Sequence, residues 1–201
     1  MRLCIFPIGA LAFAASASLA AIAFAADEGH TEHGAHQHGH GTLMLAVEKS
    51  TVSLELRAPG NDILGFEHAP ATDQEKKIVA EAKAKLADAL GLFGIPKDAG
   101  CTVTEADVHM HGGDQDGDDD EKEAHKADTG TQPAHTHAHS SVHAKYTLTC
   151  RTPQAIKALD IALFAAFPGS QELDIVAVSE TGQAKAEATR KAPKVSLPGL
   201  W

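Results

Sequence analysis

Histidine is the residue type in this chain whose number and spacing carry chemistry. Thirteen occur: His30, His33, His36, His38, His40, His68, His109, His111, His125, His135, His137, His139 and His143. Many recur two apart, as His36-x-His38-x-His40, His109-x-His111 and His135-x-His137-x-His139. Residues two apart share a side only on an extended chain; on a helix they diverge by about 200°. These sets therefore chelate from strands or loops. Neutral imidazole is the favoured nitrogen ligand for zinc near neutral pH, and carboxylates complete a tetrahedral shell. All thirteen histidines are candidate metal ligands on this ground. The same ligands take copper(II) and nickel with comparable or higher affinity, so other divalent transition metals stay open. Beyond the first segment only Met44 and Met110 occur, without a Met-rich motif, which disfavours a copper(I) carrier.

His68 stands apart, in a loop after Phe66-Glu67 and beside Pro70. It is either a hydrogen-bonded structural residue or a fixed ligand, with Glu67 and His143 as candidate companions. Asp114, Asp116 and Asp118 alternate as at the start of an EF-hand loop, but Asp119 occupies the glycine position and His125 the twelfth. That mismatch points to a solvated acidic loop that concentrates cations rather than to a calcium site. The sequence holds no His-Glu-x-x-His, no Gly-x-Ser-x-Gly elbow and no phosphate-binding glycine loop. It therefore reads as a metal-binding protein and not as an enzyme.

The elements that must position these groups follow a leader. Arg2 precedes an apolar run from Leu3 to Ala26, and Ala23-Phe24-Ala25 supplies a small-x-small cleavage pattern. Residues 1–25 are expected to be a cleaved secretory signal peptide rather than a membrane span. Cys4 follows no lipobox-like run, which leaves Cys101 and Cys150 in the exported protein. In an oxidising compartment two cysteines point to one disulfide, which would pin the roots of the segment between them; the alternative is thiolate ligation of zinc. Loss of Arg2 takes the net charge from −10 to −11. Such a surface repels nucleic acid and anionic lipid and attracts cations.

Residues 26–41 read as a flexible His-rich arm, and 42–190 as one domain. Leu43, Leu45 and Val47 alternate, Glu48-Lys49-Ser50 turns the chain, and Val52, Leu54 and Leu56 alternate again, which predicts a β-hairpin. Thr72-Asp73-Gln74-Glu75 is a capping box, and Ile78, Val79, Ala82, Leu86 and Leu90 mark a helical face ended by Gly91. Cys101 to His111 and His143 to Cys150 are extended, with residues 112–142 a disordered His- and acid-rich insertion. Thr152-Pro153 opens a predicted second helix with Ile156, Leu159, Leu163 and Phe167 buried, ended by Pro168-Gly169. Two strands follow, Leu173 to Val178 and the alternating Ala184, Ala186 and Ala188. The order β-β-α-β-β-α-β-β predicts an α+β fold: an antiparallel sheet of about six strands with two helices on one face. Residues 191–201 are expected to be an irregular tail whose Leu200 and Trp201 dock on the body.

These residues also carry a resemblance. His38-Gly39-His40-Gly41-Thr42-Leu43, Ala58-Pro59-Gly60, Gly65-Phe66-Glu67-His68-Ala69-Pro70, Ala99-Gly100-Cys101, Tyr146-Thr147-Leu148-Thr149-Cys150, Leu163-Phe164 and Phe167-Pro168 resemble the ZrgA family of bacterial periplasmic zinc-uptake proteins. The resemblance covers nearly all of the exported chain, and the Gly-Phe-Glu-His-Ala-Pro segment is its most specific part. It implies zinc as the bound metal and a Gram-negative periplasm. It also implies capture that assists uptake alongside a zinc ABC importer or its solute-binding protein. It marks His38, His40 and His68 as candidate ligands. The competing function for the same residues is a buffer against copper, nickel or excess zinc.

Overall fold

The structure, a computed structural model, describes residues 37–111 and 140–201. The predicted leader, the Asp114–Asp118 acids and His30, His33, His36, His125, His135, His137 and His139 lie outside the described residues, as does most of the predicted insertion.

Strand β1 (His40–Glu48) and β2 (Thr51–Pro59) form the expected hairpin, with Leu43 opposite Leu56, Leu45 opposite Leu54 and Val47 opposite Val52. Lys49 takes the left-handed turn position at φ 53. Period-2 alternation sends these six apolar side chains to one face, where all are buried. A short helix α1 (Gly60–Leu64) leads into the Phe66–His68 loop, and helix α2 (Asp73–Leu86) starts at the predicted capping box. Thr72 Oγ accepts from Glu75 N–H, and Glu75 Oε2 accepts from Thr72 N–H at 2.8 Å. The helix ends sooner than the apolar spacing predicts: Leu90 belongs to a separate turn, α3 (Ala89–Leu92), which Asp88 caps.

Strands β3 (Cys101–His111) and β4 (Ser141–Cys150) pair from Cys101 opposite Cys150 to His111 opposite Ser141, and Cys101 and Cys150 are disulfide-bonded. Strand β4 also pairs with β2. Strands β6 (Glu172–Ser179) and β7 (Gln183–Thr189) complete a six-stranded sheet of order β3-β4-β2-β1-β6-β7. The expectation of a wholly antiparallel sheet is corrected at its centre, where β1 and β6 run parallel. Tight turns force antiparallel neighbours, but no turn joins these two strands; the connection is long enough to bring β6 back in either direction.

The predicted second helix is also corrected. Residues 153–166 form a 3-10 turn (Pro153–Ala155), a short strand β5 (Ala158–Asp160) and a one-turn helix α4 (Leu163–Ala166). The apolar residues are buried as expected, but tertiary partners claim the backbone: Ala162 N–H donates to Leu92 O and Ile161 N–H to Pro193 O. The tail is the reason. Its strand β8 (Lys194–Ser196) pairs with β5, so it is not irregular throughout. Leu200 is fully buried and Trp201 Nε1 donates to Ile156 O at 2.9 Å, which is the docking the sequence predicts. Helix and tail residues join the sheet's inner face in one core. Among the described residues the opposite face is uncovered, and this open face exposes Thr42, Met44, Arg57, Lys145 and Asp174.

Candidate metal centre

The centre is built at the end of the sheet where β1 begins. Gly39 stands just before that strand at φ +85, a conformation glycine adopts without strain. Its N–H is held by both carboxylate oxygens of Asp62 in α1, at 2.9 and 2.8 Å, and its carbonyl accepts from Gln171 and Glu172 N–H at 2.8 Å each. The backbone between His38 and His40 is thus clamped from two sides. His38 Nε2 meets Glu67 Oε1 at 2.5 Å, across 29 residues of sequence. His40 Nδ1 lies 3.2 Å from Glu172 Oε1, and its Nε2 lies 3.1 Å from the Gln37 amide nitrogen. The amide can only donate, so the network assigns the proton of neutral His40 to Nδ1, which donates to Glu172. That leaves Nε2 as the lone pair a metal would take once Gln37 is displaced.

The Phe66–His68 loop reaches the same end. Gly65 turns the chain at φ +81, and Phe66 O accepts from Ser140 Oγ at 3.4 Å. The Phe66 ring stacks on His68 at 5.0 Å between centroids. His68 Nδ1 donates to Ala69 O at 3.1 Å, so Nε2 again carries the lone pair, and it faces Glu75 Oε1 at 3.6 Å. Backbone bonds to the Glu75 carboxylate hold its pKa below the usual glutamate value. Glu67 and His68 therefore face different groups, and His143 stands on β4, in a cleft it shares with His40.

On the open face, His109 stands opposite His143 across β3 and β4, and His143 stands opposite Arg57 on β2. His109 Nε2 meets Asp107 Oδ2 at 2.8 Å, while Arg57 turns to Glu55 at 2.7 Å. His40 and His143 line one cleft of about 210 Å³ with Arg57 between them. His111 occupies the register position opposite Ser141.

Three groups were not singled out by sequence. Asp62 is buried, which raises its pKa, while the Gly39 N–H and the charges of His38 and His40 draw it down. Glu172, Asp174 and Glu187 bring ligand oxygens within 4.8 Å of one another, beside His40. Their signal was present as polar positions alternating with Leu173 and Ile175 in β6, which puts both acids of that strand on the open face. The third is the pairing itself: His38, His40, His68 and His109 each face a carboxylate. A nitrogen and an oxygen on one tetrahedral zinc lie about 3.4 Å apart, from bond lengths of about 2.0–2.2 Å. The observed pairs span 2.5 to 3.6 Å; three lie close to that separation, while His38 and Glu67 must part by about 0.9 Å to share an ion.

The motifs that meet here, His38-Gly39-His40 and Gly65–Pro70, lie within a match to the ZrgA family zinc uptake protein that covers residues 35–197. The chain belongs to this family. No curated protein matches it. ZrgA membership gives the chain a zinc-related role. Among the described residues, no helix is long and apolar enough to cross a membrane.

Proposed function

We propose that this ZrgA protein captures zinc in the periplasm and assists its uptake, delivering it to a zinc ABC importer or that importer's solute-binding protein. The His38–Glu67 contact carries the reading. It joins the two family segments that hold His38, His40 and His68 through a direct 2.5 Å contact, which has to open by about 0.9 Å for both groups to hold one ion. His38 and Glu67 hold the ion, and the oriented Nε2 atoms of His40 and His68 extend the site. His109 and His143 form a second group on the open face, and His111, two residues beyond His109 in the chain, is a further candidate ligand. His30, His33, His36, His125, His135, His137 and His139 add weaker sites that raise the local zinc concentration. Glu172, Asp174 and Glu187 favour cations at the same end of the sheet. The protein catalyses no reaction; it is exported through a cleaved signal peptide, and its single domain, expected over 42–190, extends to His40 and to the tail that carries β8 and Leu200.

Cells lacking this chain are expected to grow poorly in chelated, zinc-limited medium and to accumulate zinc slowly. Wild-type protein restores both, and a His38→Ala, His40→Ala, Glu67→Gln triple variant does not. Full complementation by the triple variant removes the reading. Production of the protein is expected to rise under zinc starvation; a rise only under excess copper, nickel or zinc supports the buffer function instead.

A further inference from the structure

Asp62 is a buried charge at this centre with no assigned role. It is 4% exposed, and among the described residues one donor, the Gly39 N–H, serves both carboxylate oxygens. A carboxylate offers about four acceptor positions, so a buried one served by a single N–H is short of compensation. Its position is fixed from behind: a Cβ on Gly169 would come within 2.5 Å of Asp62 O, so the two backbones are in close contact. Its carboxylate meets the midpoint of His38-Gly39-His40, whose imidazoles diverge to Glu67 and Glu172.

Resting on the zinc-capture reading, we propose that Asp62 is a positioning residue and buried counter-charge for the cation. It fixes the His38-Gly39-His40 segment through Gly39 and places a negative charge behind an ion held at His38 and Glu67, without touching the ion. A charge out of water acts more strongly on a nearby cation than an exposed one, and outer-shell partners of metal ligands typically change metal affinity 10- to 100-fold. The cation in turn supplies the compensation that Asp62 lacks in the metal-free protein.

The test separates charge from scaffold. Asp62→Asn keeps an oxygen to accept from Gly39 N–H and removes the charge; Asp62→Ala removes both. The exported protein is titrated with zinc against a chromophoric chelator at neutral pH, and each metal-free variant is melted by circular dichroism. Asp62→Asn is expected to keep the cooperative metal-free transition while the Kd of the tightest zinc site rises about 10- to 100-fold. Asp62→Ala is expected to weaken zinc at least as much and to melt earlier. Should the amide variant not fold, Asp62→Ser poses the same question. Wild-type affinity in Asp62→Asn, alongside weakened binding in His38→Ala/His40→Ala, overturns the proposal and leaves zinc capture standing. Unchanged affinity in the double histidine variant removes both.

Discussion

Opening the Cys101–Cys150 disulfide is expected to cost about 4 kcal/mol of folding stability. The bond links residues 49 apart, and loop-closure entropy for that length is about 14 cal/mol/K, hence about 4 kcal/mol at 25 °C. The bond sits at the end of the β3–β4 ladder opposite the His111–Ser141 mouth, so it constrains the unfolded chain without occupying the metal centre. Urea unfolding of the oxidised protein and of a Cys101→Ala/Cys150→Ala variant measures the difference. Replacing residues 112–139 by an Asn-Gly turn changes 28 residues to 2 and shortens the separation from 49 to 23. The disulfide is then expected to contribute about 3.4 kcal/mol, lower by about 0.7. A loss under about 1 kcal/mol in the full-length pair would refute the entropic reasoning, as would a contribution that grows when the loop is shortened.

Three further outcomes follow from the same coordinates. Glu75 has a folded pKa below the usual glutamate value, so its stabilisation is present above that usual value and is lost as pH falls through the folded pKa. Urea midpoints of wild type and Glu75→Gln should converge on acidification, and a pH-independent gap contradicts this. The Tyr146 hydroxyl is buried without a hydrogen-bond partner among the described residues, and burial raises its pKa. Tyr146→Phe should therefore leave stability unchanged or raise it; a loss above about 1 kcal/mol would reveal a partner. Leu200 is fully buried in the core that β8 completes, so Leu200→Ala should cost about 2–5 kcal/mol by chemical denaturation, and a neutral result would mean the tail does not pack.

The elements legible in the sequence were those fixed by neighbours in the chain. The β1–β2 hairpin showed itself through Leu43, Leu45, Val47 and their partners, and α2 through the Thr72–Glu75 box, because alternation and capping are local. Ile156, Leu159, Leu163 and Phe167 were correctly read as buried but wrongly as one helix. Spacing reports which side chains face the core, whereas Leu92 O and Pro193 O, distant in sequence, decide where the backbone bonds go. The parallel β1–β6 pairing is non-local in the same way. At the centre, the histidines were visible by type, but their partners were not. Glu172 and Asp62 approach His40 and Gly39 only once β6 and α1 have packed against the start of β1.

Zinc titration of the oxidised, exported protein against a chromophoric chelator at neutral pH tests the central claim most directly. More than one zinc per chain is expected, with at least one bound far more tightly than a synthetic peptide of residues 26–41 binds it. That tight site should be lost in His38→Ala/His40→Ala/Glu67→Gln. Weak, indistinct binding that matches the peptide and is unaffected by those substitutions would contradict zinc capture at this centre.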